Sequence, residues 1–171
     1  MTTAALFSVE EYLRTSYEPD REYLEGEVLE RNVGEISHSY CQTYIAGLLV
    51  SRSVAAGVYP LVEVRVQVSA RRFRVPDVVV VKRPLPAGRI ITTPPLIVIE
   101  ILSPEDRYGY MQDKLADYFD FGVPNVWLID PERRRGFVCT RRGLEEPADG
   151  VLRTQDGAIE LPAAEIFAPP Q

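Results

Sequence analysis

A chain of 171 residues with 46% hydrophobic and 26% charged residues has the size and composition of one ordinary globular domain. It has no apolar run near the ~18 residues that a membrane span needs, and its first residues lack the pattern of a signal peptide. The net charge of −6 excludes a general basic footprint for nucleic acid, so a phosphate-binding role requires a local patch or bound metal ions. Cys41 and Cys139 form no C-x-x-C pair, and we therefore expect a reduced, cytoplasmic protein without membrane attachment.

The first part of the chain is predicted to contain two helices and a hairpin. A short helix is predicted for SVEEYLR, with Ser8 as N-cap and Glu11 completing a capping box. Two short strands are predicted in REYLEGEVLER, with a turn at Gly26. The helical spacing of apolar residues predicts an amphipathic helix from Ser37, its N-cap, to about Ala55.

Three strands are predicted next. A half-buried strand is predicted for YPLVEVRVQVS, because valines alternate there with mostly polar residues. Strands covered on both faces are predicted for RFRVPDVVVV and LIVIEIL, since both are nearly continuous apolar runs. The proline-rich segment between these two runs is predicted to be a loop.

The last part of the chain is predicted to contain one more main helix and a hairpin. Apolar spacing predicts an amphipathic helix from Arg107 to Phe121, which Gly122 stops. A buried strand is predicted for VWLID and its hairpin partner for GFVCTR, followed by short edge elements and a proline-rich end. Mixed strands around two main helices predict a single α/β domain, of the α+β kind.

Each of the two most hydrophobic strands contains one carboxylate, Asp77 in the first and Glu100 in the second. Burying an ionised carboxylate is costly unless a partner or a metal compensates its charge, and two such acids suggest one shared compensating agent. If the two strands are neighbours, the two carboxylates can meet on one face of the sheet. Repulsion between them then predicts a raised pKa for one of the two in the metal-free protein.

A lysine and a histidine are the other candidate site residues. Lys114 flanks the apolar stripe of its helix, so we expect its stem to border the core while the amine reaches toward the sheet. His38 lies in the first turn of its helix, where the positive helix end is expected to keep the imidazole neutral. Other interpretations stay open: the acids can be salt-bridged to arginines such as Arg65 or Arg74, the histidine can be structural, and the lysine can be solvated.

The motifs PDVVVV, VIEILSP, DKLADYFDFGVP and VWLIDP occur in this order, and over about residues 8 to 165 the sequence resembles the Uma-type endonuclease family of the PD-(D/E)XK nuclease superfamily. The resemblance implies a restriction-endonuclease-like core, a mixed β-sheet flanked by helices. The core would span about 20–132, and a C-terminal hairpin and tail would span 133–171. The implied activity is Mg²⁺-dependent hydrolysis of phosphodiester bonds in nucleic acid, with DNA expected ahead of RNA and Mn²⁺ as a substitute ion.

The resemblance also implies a set of metal ligands and a catalytic amine. Asp77 and Glu100 correspond to the two acids that bind Mg²⁺, and the backbone carbonyl of Ile101 is a candidate third ligand. The usual motif lysine, two residues after the second acid, is absent, because Leu102 stands there. In this branch the lysine comes from the following helix, which makes Lys114 the catalytic amine.

Two further catalytic positions follow from the resemblance, since His38 and Glu22 stand where the family commonly has a histidine and a glutamate facing the site. Tyr110 departs from the family, because relatives often carry an aspartate four residues before the lysine. Two other hypotheses stay open: a catalytically inactive nuclease-like module that binds nucleic acid or protein, and a structural component with vestigial acids. The oligomeric state is left open between a monomer and a homodimer.

Overall fold

The computed structural model describes residues 6–31 and 35–167. The helices are α1 (Val9–Arg14), α2 (Ile36–Ala56), α3 (Tyr108–Phe121) and α4 (Ala163–Ile166). The strands are β1 (Glu22–Leu24), β2 (Glu27–Leu29), β3 (Val58–Val62), β4 (Val66–Ser69), β5 (Arg72–Arg74), β6 (Val78–Lys82), β7 (Ile97–Ile101), β8 (Asn125–Asp130), β9 (Arg135–Thr140), β10 (Gly143–Glu145), β11 (Val151–Arg153) and β12 (Glu160–Pro162). The start of the chain and its proline-rich end, on which predictions were made, lie outside these residues.

A six-stranded sheet in the order β10-β9-β8-β7-β6-β3 forms the centre of the molecule. Strands β7 and β8 are parallel and are joined through α3, whereas the other neighbouring pairs of this sheet are antiparallel. The middle strands are apolar and buried on both faces, as the continuous apolar runs predicted. The predicted mixed sheet flanked by helices is therefore confirmed.

The two faces of this sheet are covered by different helices. On one face, Val78 and Val80 belong to the same apolar cluster as Ile45 of α2. On the other face, Val79 and Val98 belong to the same cluster as side chains of α3. Because side chains alternate along a strand, Glu100 falls on the face that α3 covers.

The segment predicted as one half-buried strand is two strands in two different sheets. Strand β3 pairs with β6, whereas β4 pairs with β5 in a four-stranded sheet of order β2-β1-β5-β4. The break lies at Glu63, which has a left-handed backbone conformation with φ 52°. Its N–H donates to the carbonyl of Asp77 at 3.3 Å. A single left-handed residue ends the alternation of an extended strand, and the side chains beyond it serve a different sheet.

The segment predicted as the first buried strand divides in the same way. Strand β5 ends at Arg74 in the four-stranded sheet, and β6 begins at Val78 in the six-stranded one. Pro76 lies between them and has no N–H to donate to a ladder. Asp77 therefore lies where the chain passes from one sheet to the other, and not inside a continuous strand.

The helix ends agree with the sequence in two cases and differ in one. Ser8 caps α1 through the predicted capping box with Glu11, and Gly122 ends α3 in a left-handed conformation with φ 93°. The predicted Ser37 cap is wrong, because α2 begins at Ile36 and its N-cap, Glu35, makes no side-chain cap bond. Among the helices of the described residues, none is long and apolar enough to cross a membrane.

Candidate active site

A cavity of about 620 Å³ lies between the first turns of α2 and α3 and the neighbouring ends of β6 and β7. The predicted site residues that line it are His38, Asp77, Glu100, Ile101 and Lys114. The remaining one, Glu22, is fully buried on β1 and reaches the group through Lys114. The fold thus brings together residues from five separate segments of the chain.

The Lys114 amine lies between two buried glutamates. Its Nζ donates to Glu100 Oε2 at 2.7 Å and lies 3.2 Å from Glu22 Oε1. The residue is 6% exposed, so Lys114 is buried more deeply than the predicted position at the border of the core. Burial alone would lower the pKa of Lys114, but the charges of the surrounding carboxylates outweigh it and raise the pKa, so the amine is held as an ammonium ion.

Two tyrosine hydroxyls complete the bonding of these glutamates. Tyr110 donates to Glu22 Oε2, and Tyr118 donates to Glu100 Oε1 at 2.5 Å. With Lys114 they stand at four-residue spacing on one side of α3, which is the signal by which sequence analysis could have found Tyr118. At Tyr110, where the resemblance implied an aspartate, the chain has a hydroxyl donor. We call Glu22, Glu100, Lys114, Tyr110 and Tyr118 the inner cluster.

Glu22 is also held by an arginine. Arg74 is fully buried, and its Nη1 donates to Glu22 Oε2 at 2.7 Å, while its Nε donates to Asp117 at 2.6 Å. Burial raises the pKa of Glu22, but the positive charges of Lys114 and Arg74 outweigh burial and lower the pKa to about 2. Of the two arginines considered as partners for the strand acids, Arg74 holds Glu22 and Arg65 holds Asp20 at 2.5 Å.

The pKa values of the two strand carboxylates are shifted in opposite directions. Burial raises the pKa of Glu100 to about 7, because the nearby Lys114 charge does not fully offset the lost hydration and the Asp77 charge opposes ionisation. The β6–β7 register pairs Val78 with Ile99, and continuing it by one residue sets Asp77 opposite Glu100. The raised pKa that repulsion predicted for one of the two acids therefore falls on Glu100.

Asp77 is held by donors from three directions. Its Oδ2 accepts from the backbone N–H of Ile101 at 2.8 Å and lies 3.3 Å from His38 Nε2. Its Oδ1 accepts from Arg31 Nη2 at 2.9 Å. Burial raises the pKa of Asp77, but the His38 bond and the charges of Lys114 and Arg31 together lower it. We call Asp77, His38 and Arg31 the outer cluster.

Sequence analysis missed Arg31. It follows the end of β2 as one of 17 arginines, and nothing in its local pattern distinguishes it from the others. Its side chain is 11% exposed and also lies 3.5 Å from Glu63, whose side chain is 45% exposed. Arg31 thus contacts one buried and one accessible carboxylate at the cavity wall.

His38 differs from its expected electrostatic state. Burial lowers the pKa of His38, but the hydrogen bond to Asp77 and the charge of that carboxylate outweigh burial and raise it. The expected direction is wrong because a carboxylate 3.3 Å away outweighs the helix end. The other ring nitrogen, Nδ1, is buried without a hydrogen-bond partner among the described residues.

The donor set fits a hard divalent cation in its chemistry. Mg²⁺ takes oxygen ligands, usually one or two carboxylates, and keeps several waters. Asp77 and Glu100 supply two carboxylates in one cavity, although no group of three His, Cys, Asp or Glu ligands occurs within residues 6–31 and 35–167. Every oxygen of both carboxylates is bonded to a protein donor, with Arg31 and Lys114 supplying the positive charge. A bound ion would have to share these oxygens with their present donors or displace one of them.

The comparisons with known proteins show the family and the fold of the chain. The model of the Uma2 family, described as "Putative restriction endonuclease", matches residues 9–165. The chain belongs to the Uma2 family. The Uma2 fold recurs in the crystal structure of a "putative nuclease belonging to DUF820" from Anabaena variabilis ATCC 29413, with a TM-score of 0.80 and 22% sequence identity, covering 95% of this chain and 98% of that one. No curated protein matches this Uma2 chain. The predicted family and fold are confirmed.

Proposed function

We propose that this Uma2 protein is a metal-dependent endonuclease that hydrolyses phosphodiester bonds in nucleic acid, with DNA as the preferred substrate. One observation carries the proposal: a buried, charged amine, Lys114, is aligned by Glu22 and Glu100 in the same cavity as Asp77. Membership of a family described as "Putative restriction endonuclease" supports the same activity.

Stability gives little reason to keep such a cluster. Buried ion pairs are expensive to desolvate, and well-packed apolar side chains of similar volume often stabilise a fold as well or better. Glu22, Glu100 and Lys114 are each almost fully buried, and all have shifted pKa values next to an open cavity. Strongly shifted ionisable groups in a cleft are typical of functional sites.

The chain's own residues would divide the work as follows. Lys114 would place its ammonium group against the negative charge that develops on the phosphoryl oxygens, and Glu22 with Tyr110 would hold that amine in position. His38 would orient Asp77. When bound to Asp77 and Glu100, a divalent cation would polarise the phosphate and lower the pKa of an attacking water.

The charge of the cavity supports a need for a metal ion. Its lining carries six carboxylates against three lysine or arginine side chains: Glu30, Glu63, Asp77, Glu100, Glu105 and Asp106 against Arg31, Arg107 and Lys114. A polyanion is repelled by such a surface unless added cations neutralise it. Cleavage is therefore expected to depend steeply on the divalent ion.

The alternative, an inactive nuclease-like binding module, is favoured by one contact. Arg31 already neutralises Asp77, as a structural salt bridge would. An inactive module would bind labelled nucleic acid without cutting it, and Mn²⁺ would not raise its melting temperature.

The test is a cleavage assay on the purified protein with labelled single- and double-stranded DNA and RNA. We expect cutting with Mn²⁺ or Mg²⁺, none with EDTA, and a severe loss in Lys114→Ala but not in Lys82→Ala, which removes the other lysine at an exposed position. Failure to cut any of these substrates with either ion, or cutting that persists in EDTA, would overturn the proposal. Sedimentation of the same preparation decides between monomer and homodimer.

A further inference from the structure

We propose that Arg31 competes with the divalent cation for Asp77 and moves to Glu63 when the cation binds, so that this arginine sets the metal affinity of the site. The inference rests on the proposed metal-dependent function. It concerns a residue that neither the family motifs nor the sequence pattern assigns to the site.

The first step is the geometry of Asp77. Its Oδ2 is occupied by the backbone N–H of Ile101, a donor that the sheet fixes in place. Its Oδ1 accepts from Arg31, another residue of the cavity lining, at 2.9 Å. A cation that takes Asp77 as a ligand binds best through an oxygen without a fully charged donor, and Oδ1, the oxygen that His38 does not contact, has such a donor in the long side chain of Arg31.

The second step is charge. A guanidinium beside Asp77 and a divalent ion on Asp77 would repel each other strongly at contact distance in a half-buried site. Without the ion, Arg31 balances the negative charge of Asp77, whereas a bound ion would itself supply that positive charge. Binding of the ion therefore makes the Arg31–Asp77 pair unfavourable, and the arginine is expected to leave.

The third step is a place for the arginine to go. Arg31 Nη1 already lies 3.5 Å from Glu63 Oε1, and Glu63 is half exposed at the cavity wall. The guanidinium can leave Asp77 and keep a carboxylate partner through a small side-chain movement. Glu63 thus lowers the free energy needed to release Arg31 from Asp77, and it should therefore raise the metal affinity of the site.

The proposal predicts opposite effects for two neutralising changes. Arg31→Gln removes the competitor and should tighten Mn²⁺ binding about tenfold, since it removes a like charge at short range. Glu63→Gln removes the release partner and should weaken Mn²⁺ binding severalfold. Their matched controls are Arg21→Gln and Glu30→Gln, which remove the same charges from a more exposed ion pair just outside β1 and β2. Glu30 also lines the cavity, so it matches Glu63 as a carboxylate at the cavity wall.

A double variant separates release from simple charge. In the Arg31→Gln background, Glu63→Gln should weaken Mn²⁺ binding no more than Glu30→Gln does, because Arg31 is no longer there to pair with Glu63. Binding of Mn²⁺ alone is measured by titration calorimetry or by the spectrum of free Mn²⁺, and melting temperatures in EDTA report whether each variant folds. If Arg31→Gln does not fold, Glu63→Gln and Arg31→Lys still test the idea. Arg31→Lys keeps the positive charge but removes the planar guanidinium.

The outcomes separate this inference from the proposed function. Equal Mn²⁺ affinity in the wild type, Arg31→Gln and Arg21→Gln, with the wild type still cutting nucleic acid, overturns the competition and leaves the nuclease proposal standing. Absence of Mn²⁺ binding in every variant overturns both. Tighter binding in Arg31→Gln, together with loss of the Glu63 effect in the double variant, supports the competition.

Discussion

The inner and outer clusters compensate buried carboxylates by different means. In the inner cluster, Glu22 and Glu100 are fixed by Lys114 and by two tyrosine hydroxyls on one helix, all buried or nearly so. In the outer cluster, Asp77 is held by the long side chain of Arg31, which also reaches an accessible glutamate. The inner cluster holds an amine in one position, whereas the outer cluster has a donor that can be exchanged.

The two clusters also differ in what their carboxylates prefer. Glu100 has a pKa raised to about 7, whereas the pKa of Asp77 is lowered. Glu100 lies in the middle of a sheet, where hydration is lost and the backbone groups are used by the ladder. Asp77 lies at the crossing between two sheets, where it accepts the N–H of Ile101 and faces a cavity. Two acids that look equivalent in the sequence are therefore not equivalent in charge.

The largest effect is expected from breaking the inner cluster at its centre. Lys114→Ala should reduce cleavage by orders of magnitude, since one well-placed donor to a developing charge contributes about 3–4 kcal/mol. It should also destabilise the fold by about 3–5 kcal/mol, because two carboxylates are left buried without their shared cation. Chemical denaturation and cleavage rates measure the two losses.

Lys114→Arg should not restore cleavage, because a planar guanidinium cannot occupy the space of a compact ammonium between two glutamates. The exposed Lys82→Ala should change stability by no more than about 0.5 kcal/mol. Full activity in Lys114→Ala would remove the lysine from the mechanism and leave the inner cluster a purely structural one.

The second prediction tests the unequal carboxylates through pH. Because the folded pKa of Glu100 is raised from 4.5 to about 7, the folded state binds its proton more tightly than the unfolded state does. The stability of the wild type should therefore fall relative to Glu100→Gln as pH rises from about 4.5 to 7, by roughly 3 kcal/mol in total. Urea denaturation of both proteins across this range, in EDTA, measures it. A difference that does not vary with pH would show that Glu100 is ionised throughout.

The third prediction concerns the outer acid. Asp77→Asn should destabilise the metal-free protein at neutral pH by about 1–3 kcal/mol, because it removes the acceptor charge from Arg31 and His38. A depressed pKa means that the ionised form supports the fold, so this contribution is lost as pH falls below the ordinary range of an aspartate. The free energies of unfolding of Asp77→Asn and the wild type should thus converge in acid. If Asp77→Asn is instead more stable than the wild type at neutral pH, ionised Asp77 destabilises the fold and does not differ from Glu100 in this respect.

The smallest effects are expected from removing the two tyrosine hydroxyls of the inner cluster. Tyr118→Phe should cost about 1–3 kcal/mol, because it leaves an oxygen of the fully buried Glu100 without its donor. Tyr110→Phe should cost less, since Glu22 keeps Arg74, Lys114 and the backbone N–H of Val75. Thermal unfolding of the two variants under one buffer gives the order. An inverted order would mean that Tyr110 carries more of the alignment of Lys114.

Much of the candidate site could be predicted from the sequence. Isolated acids in apolar runs, one lysine beside an apolar stripe and one histidine in a first helical turn are visible in one dimension. The motifs that carry the family resemblance add Glu22, which composition and periodicity do not distinguish from other acids. The sequence predicted that Asp77 and Glu100 meet only if their strands are neighbours, and the β6–β7 register shows that these strands pair.

The sequence by itself determined the family, the three longer helices, the apolar runs and the acids in or beside them, because these depend on short-range periodicity and on motif order. The tertiary structure decided where two long strands divide. The left-handed conformation of Glu63 leaves no trace in an alternating pattern, and Pro76 does not by itself show that the residues before and after it join different sheets. It also decided which of 17 arginines reaches Asp77, which tyrosines donate, and which acid is harder to ionise. These properties depend on distances and burial between segments far apart in the chain, and local sequence does not encode them.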